Sequence, residues 1–275
     1  MPAIPVRDAR RVSVALAVIA AMTVPVMADE PVLLHAAGSL RSALTDVAKE
    51  FEAAGLGKVQ AKFGASGLLK SDISGGARAE VFASANMEHP QALAQDKRSG
   101  PVMLFARNRL CALVRPGLEV TPASLLDRML DAQVKLGTST PKADPSGDYA
   151  WEVFHKAEKL KPGSLVALET KALQLTGGPS SPPTPPNRSI YGELVAQGAA
   201  DIFLTYCTGA KAAQQENPAQ RIVALPDALA VGADYGLTVI NGASPAAYQF
   251  AMFVLSGQGQ RIFAKHGFAA PALPQ

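Results

Sequence analysis

Short apolar runs alternate with amphipathic segments through most of this chain. "PVLLHAA" (31–37) carries no formal charge and reads as a buried strand. "GSLRSALTDVAKEFEAAG" follows, with Leu40, Ala43, Leu44, Val47 and Phe51 at helical spacing and Gly55 as a stop. "VQAKFGA" is a second strand and "SGLLKSDISGG" a short helix closed by Gly75 and Gly76. "AEVFASA" and "EHPQALAQDKR" repeat the pair. Strands alternating with helices predict a mainly parallel sheet with helices on both faces.

"VMLFARNRLCALVRPG" (102–117) breaks the rhythm, being strand-like throughout and ending in Pro116–Gly117. A second alternation then starts. "VKLGTST" is a strand, and the segment after it a helix with Ala150, Val153, Phe154, Ala157 and Leu160 on one face. "TGGPSSPPTPPN" (176–187) is a Pro/Gly/Ser surface loop. "RSIYGELVAQG" is a helix, and "ADIFLTYCTGA" a strand running into a helix start. "LAVGADYGLTVI" (229–240) is extended again, and "SPAAYQFAMFVLSGQGQRIFAKHGF" closes with apolar-faced helices. Two alternations with one long extended segment between them and another leading back predict an α/β protein of two lobes. Each lobe is expected to be a mixed, mainly parallel sheet flanked by helices, the two joined by two crossing strands. The expected boundaries are 29–105 for the first part of lobe one, 106–234 for lobe two and 235–275 for the return to lobe one.

The N-terminus stands outside this pattern. Arg7, Arg10 and Arg11 precede the uncharged "VSVALAVIAAMTVPVM", and Val26 and Ala28 occupy the small-residue positions before Asp29. That order is a secretory signal peptide over residues 1–28, cut after Ala28. The apolar run is shorter than the ~20 residues a membrane span needs. No cysteine lies near the cut to take a lipid. A periplasmic location follows as the expectation.

The whole chain has 275 residues and a formal charge of +3. Without residues 1–28 the charge falls to about +1, so the basic balance belongs largely to the signal segment and nothing points to nucleic acid. Two cysteines remain, Cys111 and Cys207. In an oxidising compartment they are either paired or two small buried apolar residues.

Candidate chemistry gathers where strands end and helices begin. In open α/β sheets ligands bind at the carboxyl ends of the strands. A helix start there exposes unpaired N–H groups and a partial positive charge, and small residues let an anion approach the backbone. Such starts occur at Ser39, Ser66 and Ser146, with Asn187–Arg188 and "TYCTG" as two more. Each serine is equally read as an ordinary helix N-cap. Other chemistries lack their motifs. "GASGL" does not complete G-x-S-x-G, and no P-loop or dinucleotide fingerprint occurs. His35, His89, His155 and His266 are scattered without zinc spacing, although His35 borders the first helix start. No nucleophile–base pair points to an enzyme.

"HAAGSLRSALTDVAKEFE", "FGASGLLKSDISGGARAEVFASA" and "FAKHGF" together resemble the periplasmic molybdate-binding proteins of ABC transporters. The resemblance runs over most of the chain beyond the signal segment and is strongest in residues 33–86. It implies a type II solute-binding fold with a two-strand hinge, and an oxyanion held without metal or cofactor by serine hydroxyls, helix-start N–H groups and one tyrosine. The matching positions are Ser39, Ser66, Ser146, Asn187, Arg188 and Tyr206. The implied ligand is molybdate or tungstate, the implied partner an ABC transporter permease, and the expected state a monomer. In this fold type the strand entering lobe two joins its sheet, which would make Cys111 and Cys207 neighbours. Asp144 and Asp148 depart from the pattern, because a carboxylate beside a dianion repels it unless turned away or paired. Tyr206, Tyr191, His35, Asp144 and Asp148 also offer hard donors for ferric iron or another cation, and a secreted enzyme on the same scaffold is a third possibility.

Overall fold

The computed structural model describes Pro2 and residues 30–182 and 188–271. The expected signal segment, apart from Pro2, and Asn187 therefore lie outside the described residues. Among the described residues no helix is long and apolar enough to cross a membrane.

Among the described residues nine strands form one continuous mixed sheet. In chain order they are β1 (Val32–Ala37), β2 (Val59–Gly64), β3 (Val81–Ser84), β4 (Met103–Val114), β5 (Leu136–Ser139), β6 (Leu173–Thr176), β7 (Ile202–Tyr206), β8 (Arg221–Ala224) and β9 (Gly232–Val239). The α-helices of the described residues cover it: α1 (Arg41–Ala53), α2 (Ser66–Ser74), α3 (Glu88–Gln95), α4 (Leu125–Leu130), α5 (Pro145–Leu160), α6 (Ser164–Lys171), α7 (Ile190–Ala196), α8 (Cys207–Glu216), α9 (Pro245–Leu255) and α10 (Gly257–Lys265).

The molecule has two lobes. One carries β2-β1-β3, the other β7-β5-β6 and β8, and β4 and β9 run between them. Residues Met103 to Arg109 of β4 pair with β9, whereas Leu110 to Val114 pair with β7, and β8 lies on the other edge. One twelve-residue strand thus belongs to both lobes, which explains its unbroken strand-like sequence. The parallel ladders are β1–β2, β1–β3, β5–β6 and β5–β7, and every antiparallel ladder involves β4 or β9. The helix crossovers make the first set, because parallel neighbours require them, and the hinge strands make the second.

Burial explains why the alternation was readable. β1 and β3 are central and buried, so they read as apolar runs. α1 places Ala43, Leu44, Val47 and Phe51 against the sheet, and Phe51 meets Phe250 and Phe253 of α9 edge-on at 5.3 and 5.6 Å. The C-terminal "FAKHGF" returns to the first lobe. Phe263 and Phe268 pack around Phe105 and Tyr235, His266 Nε2 lies 3.0 Å from Asp46 of α1, and Arg107 and Ala269 exchange backbone hydrogen bonds.

Cys111 on β4 and the first residue of α8, Cys207, form a disulfide, with Cα atoms 4.9 Å apart. Strand pairing brings them together, since Cys111 lies opposite Thr205 and Leu110 opposite Tyr206. The short elements β6, β8, α4 and α6 were not anticipated from the sequence.

Candidate functional site

The site lies where the helix starts of the two lobes meet beside the hinge. In the first lobe, Gly38 to Leu40 form a 3-10 turn that leads into α1. Ser39 is not a cap there. Its hydroxyl lies 3.1 Å from the Tyr235 hydroxyl on β9. Tyr235 also accepts from Asn108 Nδ2 at 3.4 Å, and Asn108 donates to Thr208 at 2.8 Å. A hydrogen-bonded chain thus runs from Ser39 across both hinge strands to the first turn of α8. Ser66 is the first helical residue of α2 and again not its cap, because Ala65 holds the N-cap position with no side-chain hydrogen bond. Ser66 is buried, and its Oγ accepts from the Ala85 N–H at 3.1 Å, so its own hydrogen remains to donate.

The lobes touch at this point. Gly67 N–H donates to the Ala143 carbonyl at 2.9 Å, and the Tyr149 hydroxyl of α5 donates to the Ala85 carbonyl at 3.3 Å. A Cβ on Gly67 would lie 2.3 Å from the Lys142 carbonyl oxygen and 2.7 Å from that of Ala143, so glycine is required for this approach.

The second lobe contributes Ser146 and Tyr206. Both are buried, and neither Ser146 Oγ nor the Tyr206 hydroxyl has a hydrogen-bond partner among the described residues. A buried hydroxyl without a partner costs about 1–3 kcal/mol, so these two are candidate ligand groups; the buried hydroxyls of Thr138, Ser164 and Thr205 also lack partners among the described residues. The Tyr206 ring lies between those of Tyr149 and Tyr235, at centroid distances of 6.2 and 5.6 Å. Burial raises the pKa of Tyr149, Tyr191, Tyr206 and Tyr235 above the ordinary phenol value, so all four remain O–H donors near neutral pH.

The two aspartates of this region differ. Asp144 is the N-cap of α5, and its Oδ1 accepts from Ser146 N–H at 3.0 Å. Burial is the main cause that pushes its pKa up to about 6, helped by the charge of Asp148 and opposed by the Ser146 N–H and the Ser139 hydroxyl. Asp148 accepts from the Lys142 backbone N–H at 2.7 Å and so points into its own loop.

Ser39, Ser66, Ser146 and Tyr206 therefore lie at the ends of strands and helices that meet beside the hinge. Arg188 lies apart. It pairs with Glu193 at 3.1 Å and lines a surface groove between α7 and α8. The start of α7 is already satisfied, by the Ser189 side chain on Gly192 N–H and by Glu216 on Ser189 N–H. His35 lies in β1, where burial and the nearby Lys62 lower its pKa. Sequence reasoning did not single out Asn108, Tyr149 and Tyr235. Asn108 and Tyr235 meet only because β4 pairs with β9, and Tyr149 reaches Tyr206 from α5.

Residues 32–269 match the bacterial extracellular solute-binding protein family, and the chain belongs to it. An uncharacterized protein of Pasteurella multocida, PM1146, is 32% identical over 211 residues, covering 75% of this chain and 86% of that one. The molybdate-binding protein ModA of Mycobacterium tuberculosis is 27% identical over 253 residues, covering 90% and 87%. Among solved structures, the fold is shared with the periplasmic molybdate-binding protein of Azotobacter vinelandii (TM-score 0.70, 17% identity, 88% and 100% of the two chains). It is shared too with the sulfate-binding protein SubI of Mycobacterium tuberculosis (0.73, 17%, 88% and 87%) and iron-bound HitA of Pseudomonas aeruginosa (0.63, 17%, 88% and 86%). These are binding proteins, and this chain is a binding protein rather than an enzyme.

Proposed function

We propose that this protein captures a tetrahedral oxyanion, molybdate or tungstate first, in the periplasm and delivers it as a monomer to the permease of an ABC transporter. The observation that carries the reading is the pair of buried, partnerless hydroxyls on Ser146 and Tyr206, beside the uncapped helix starts at Ser39 and Ser66. Hydroxyl and N–H donors from two lobes suit an anion with acceptor oxygens on every side. The lobes are taken to divide near residues 105 and 234, at the crossing strands, so that closure would bring the two donor sets onto one ligand. The relatives that carry molybdate in their names support the choice of anion.

Ferric iron is the contrasting ligand. Binding it through Tyr206 and Tyr191 would require phenolates, and burial drives both hydroxyls away from that form. Thermal melting with molybdate, tungstate, sulfate and Fe(III) separates the two readings. An anion present at one hundred times its Kd stabilises the fold by ~2.7 kcal/mol, a rise of roughly 5–10 °C for a chain of this size. A shift with Fe(III) and none with any oxyanion would overturn the proposal.

A further inference from the structure

We propose that Asp144 selects the protonation state of the bound complex: the cleft takes its oxyanion together with one proton, held between the Asp144 carboxyl and the nearest anion oxygen. This inference rests on the oxyanion reading of the same site. It starts from a conflict in the geometry. The N-terminus of α5 should offer an anion its backbone N–H groups, yet the Asp144 carboxylate already occupies the one on Ser146 at 3.0 Å. The adjacent Ser146 Oγ and the Tyr206 hydroxyl remain buried without partners among the described residues. A ligand that satisfies those two hydroxyls comes to rest beside a carboxylate. Two negative groups at such a distance repel, and the repulsion is strong where water is excluded.

Asp144 has little room to turn away. Its Oδ1 is tied to the Ser146 N–H at 3.0 Å, and its carboxyl fills the space over Gly177 that a Cβ there would need. Among the described residues, the elements around the carboxyl supply no compensating charge. Ser139 faces the carboxyl from β5 and Asp148 from α5 itself, while Tyr191 of α7 and Tyr206 of β7 feel its charge. Ser139 and the Ser146 N–H are neutral donors, Asp148 is a second acid, and the tyrosines are held neutral. A proton removes the conflict. Drawn from solvent, it converts the carboxylate from an acceptor that repels the ligand into a donor that binds it. Burial has already moved Asp144 toward that form, to a pKa of about 6.

Affinity then depends on pH in a stated direction. Molybdate, tungstate and sulfate carry no titrating proton of their own near neutrality, so any proton taken up on binding belongs to the protein. Above pH about 6 the free protein must acquire that proton, and affinity falls about tenfold per pH unit. Below it, affinity levels off.

The test is titration calorimetry with tungstate and sulfate between pH 5.5 and 8.5, in two buffers of different ionisation enthalpy, on the wild type and Asp144→Asn. Asparagine is as good an N-cap as aspartate, so the variant retains the α5 start. The wild type is expected to take up about one proton per anion at pH 8 and to show the tenfold slope. Asp144→Asn should take up none, show a flat profile, and bind roughly a hundredfold more tightly than the wild type at pH 8. Binding without proton uptake in the wild type overturns the inference and leaves the oxyanion reading intact, and this comparison needs no variant. Equal slopes in wild type and variant also overturn it. No binding of any oxyanion at any pH removes both.

Discussion

Some helix starts of the two lobes differ: those at α1 and α2 of the first are uncapped and those at α5 and α7 of the second are capped, although α9 and α10 of the first lobe carry serine caps and α8 of the second has none. In the first, the turn into α1 and the start of α2 have alanines at their N-cap positions and no side-chain cap. In the second, Asp144 caps α5, and Ser189 together with Glu216 closes α7. A capped helix start has already used the donors that an anion would take. The starts of α1 and α2 are thus free to hold charge through their backbone, whereas those of α5 and α7 have part of their donors already taken. A serine near a helix start therefore has no single meaning. Ser39 ties α1 to a hinge tyrosine, Ser66 ties α2 to the residue after β3, the Ser146 hydroxyl has no partner among the described residues, and Ser189, Ser244 and Ser256 are caps.

The largest expected effect lies in the second lobe, which holds the Cys111–Cys207 disulfide. The bridged residues are 96 apart in sequence, and in the chain-entropy model closing such a loop stabilises by ~4–5 kcal/mol. Replacing both cysteines with alanine should lower Tm by roughly 8–18 °C. Because the bridge joins β4 to α8, protection from hydrogen exchange should drop around β7 and α8 and persist around β1 and α1. Equal loss in both lobes would show that the lobes do not open separately.

Ser66→Ala tests the first lobe. Loss of one donor to a charged ligand costs about 1.5–3 kcal/mol, so affinity should fall roughly tenfold to a hundredfold. The fold should suffer as well. Ser66 Oγ satisfies the buried Ala85 N–H, and orphaning it costs about 1–3 kcal/mol. Binding calorimetry and chemical denaturation together separate the two effects. Unchanged affinity with reduced stability would make Ser66 a strut between α2 and β3 rather than a ligand group.

Much of the fold was legible because burial writes itself into sequence. β1 and β3 are buried and apolar, and α1 and α5 show one clear apolar face. The elements that escaped notice are short and partly exposed. β6 is "LQLT" with two exposed residues at its start, and β8 is "RIVA" with an exposed residue at each end. Neither is long enough to show a period. Small residues followed by serine after a strand mark the helix starts at Ser39 and Ser66, since that pattern is local. What each serine touches is not local. Ser39 finds Tyr235 across 196 positions, and no spacing rule anticipates it. The disulfide was left open for the same reason, because register between β4 and β7 decides it. Asp144 was visible as a conflict, but its role as the α5 cap depends on a backbone angle.

The contact between lobes can be broken without touching a proposed donor side chain. Gly67→Ala places a methyl within 2.3 Å of the Lys142 carbonyl oxygen and 2.7 Å from that of Ala143. Backbone cannot yield as a side-chain tip does, and overpacking of this kind costs typically 1–3 kcal/mol. The penalty falls on the approach of α2 to the loop before α5, so it should appear as weaker binding, by up to roughly a hundredfold. Alanine itself suits a helix. Small-angle scattering should show a more extended protein that compacts less on adding ligand. A compact variant with normal affinity would mean that α2 and the Lys142–Ala143 loop need not meet when the ligand is bound.

The smallest effects are expected at the start of α7, and they decide how far the contrast between the lobes extends. If this helix start held the anion, Arg188→Ala would remove a charge beside it and weaken binding strongly. The geometry argues otherwise. Arg188, just ahead of α7, pairs with Glu193 of that helix while largely exposed to solvent, and exposed pairs contribute about 0–1 kcal/mol. Ser189 caps Gly192 N–H, so Ser189→Ala should cost about 1 kcal/mol of stability through the fold alone. Both variants are expected to bind molybdate within about twofold of the wild type, well under the tenfold that 1.4 kcal/mol represents. A tenfold loss in Arg188→Ala with Tm unchanged would bring α7 into the site and would require the segment before it to swing Arg188 away from Glu193 when the anion binds. The second lobe would then add a full positive charge to the neutral hydroxyls of Ser146 and Tyr206.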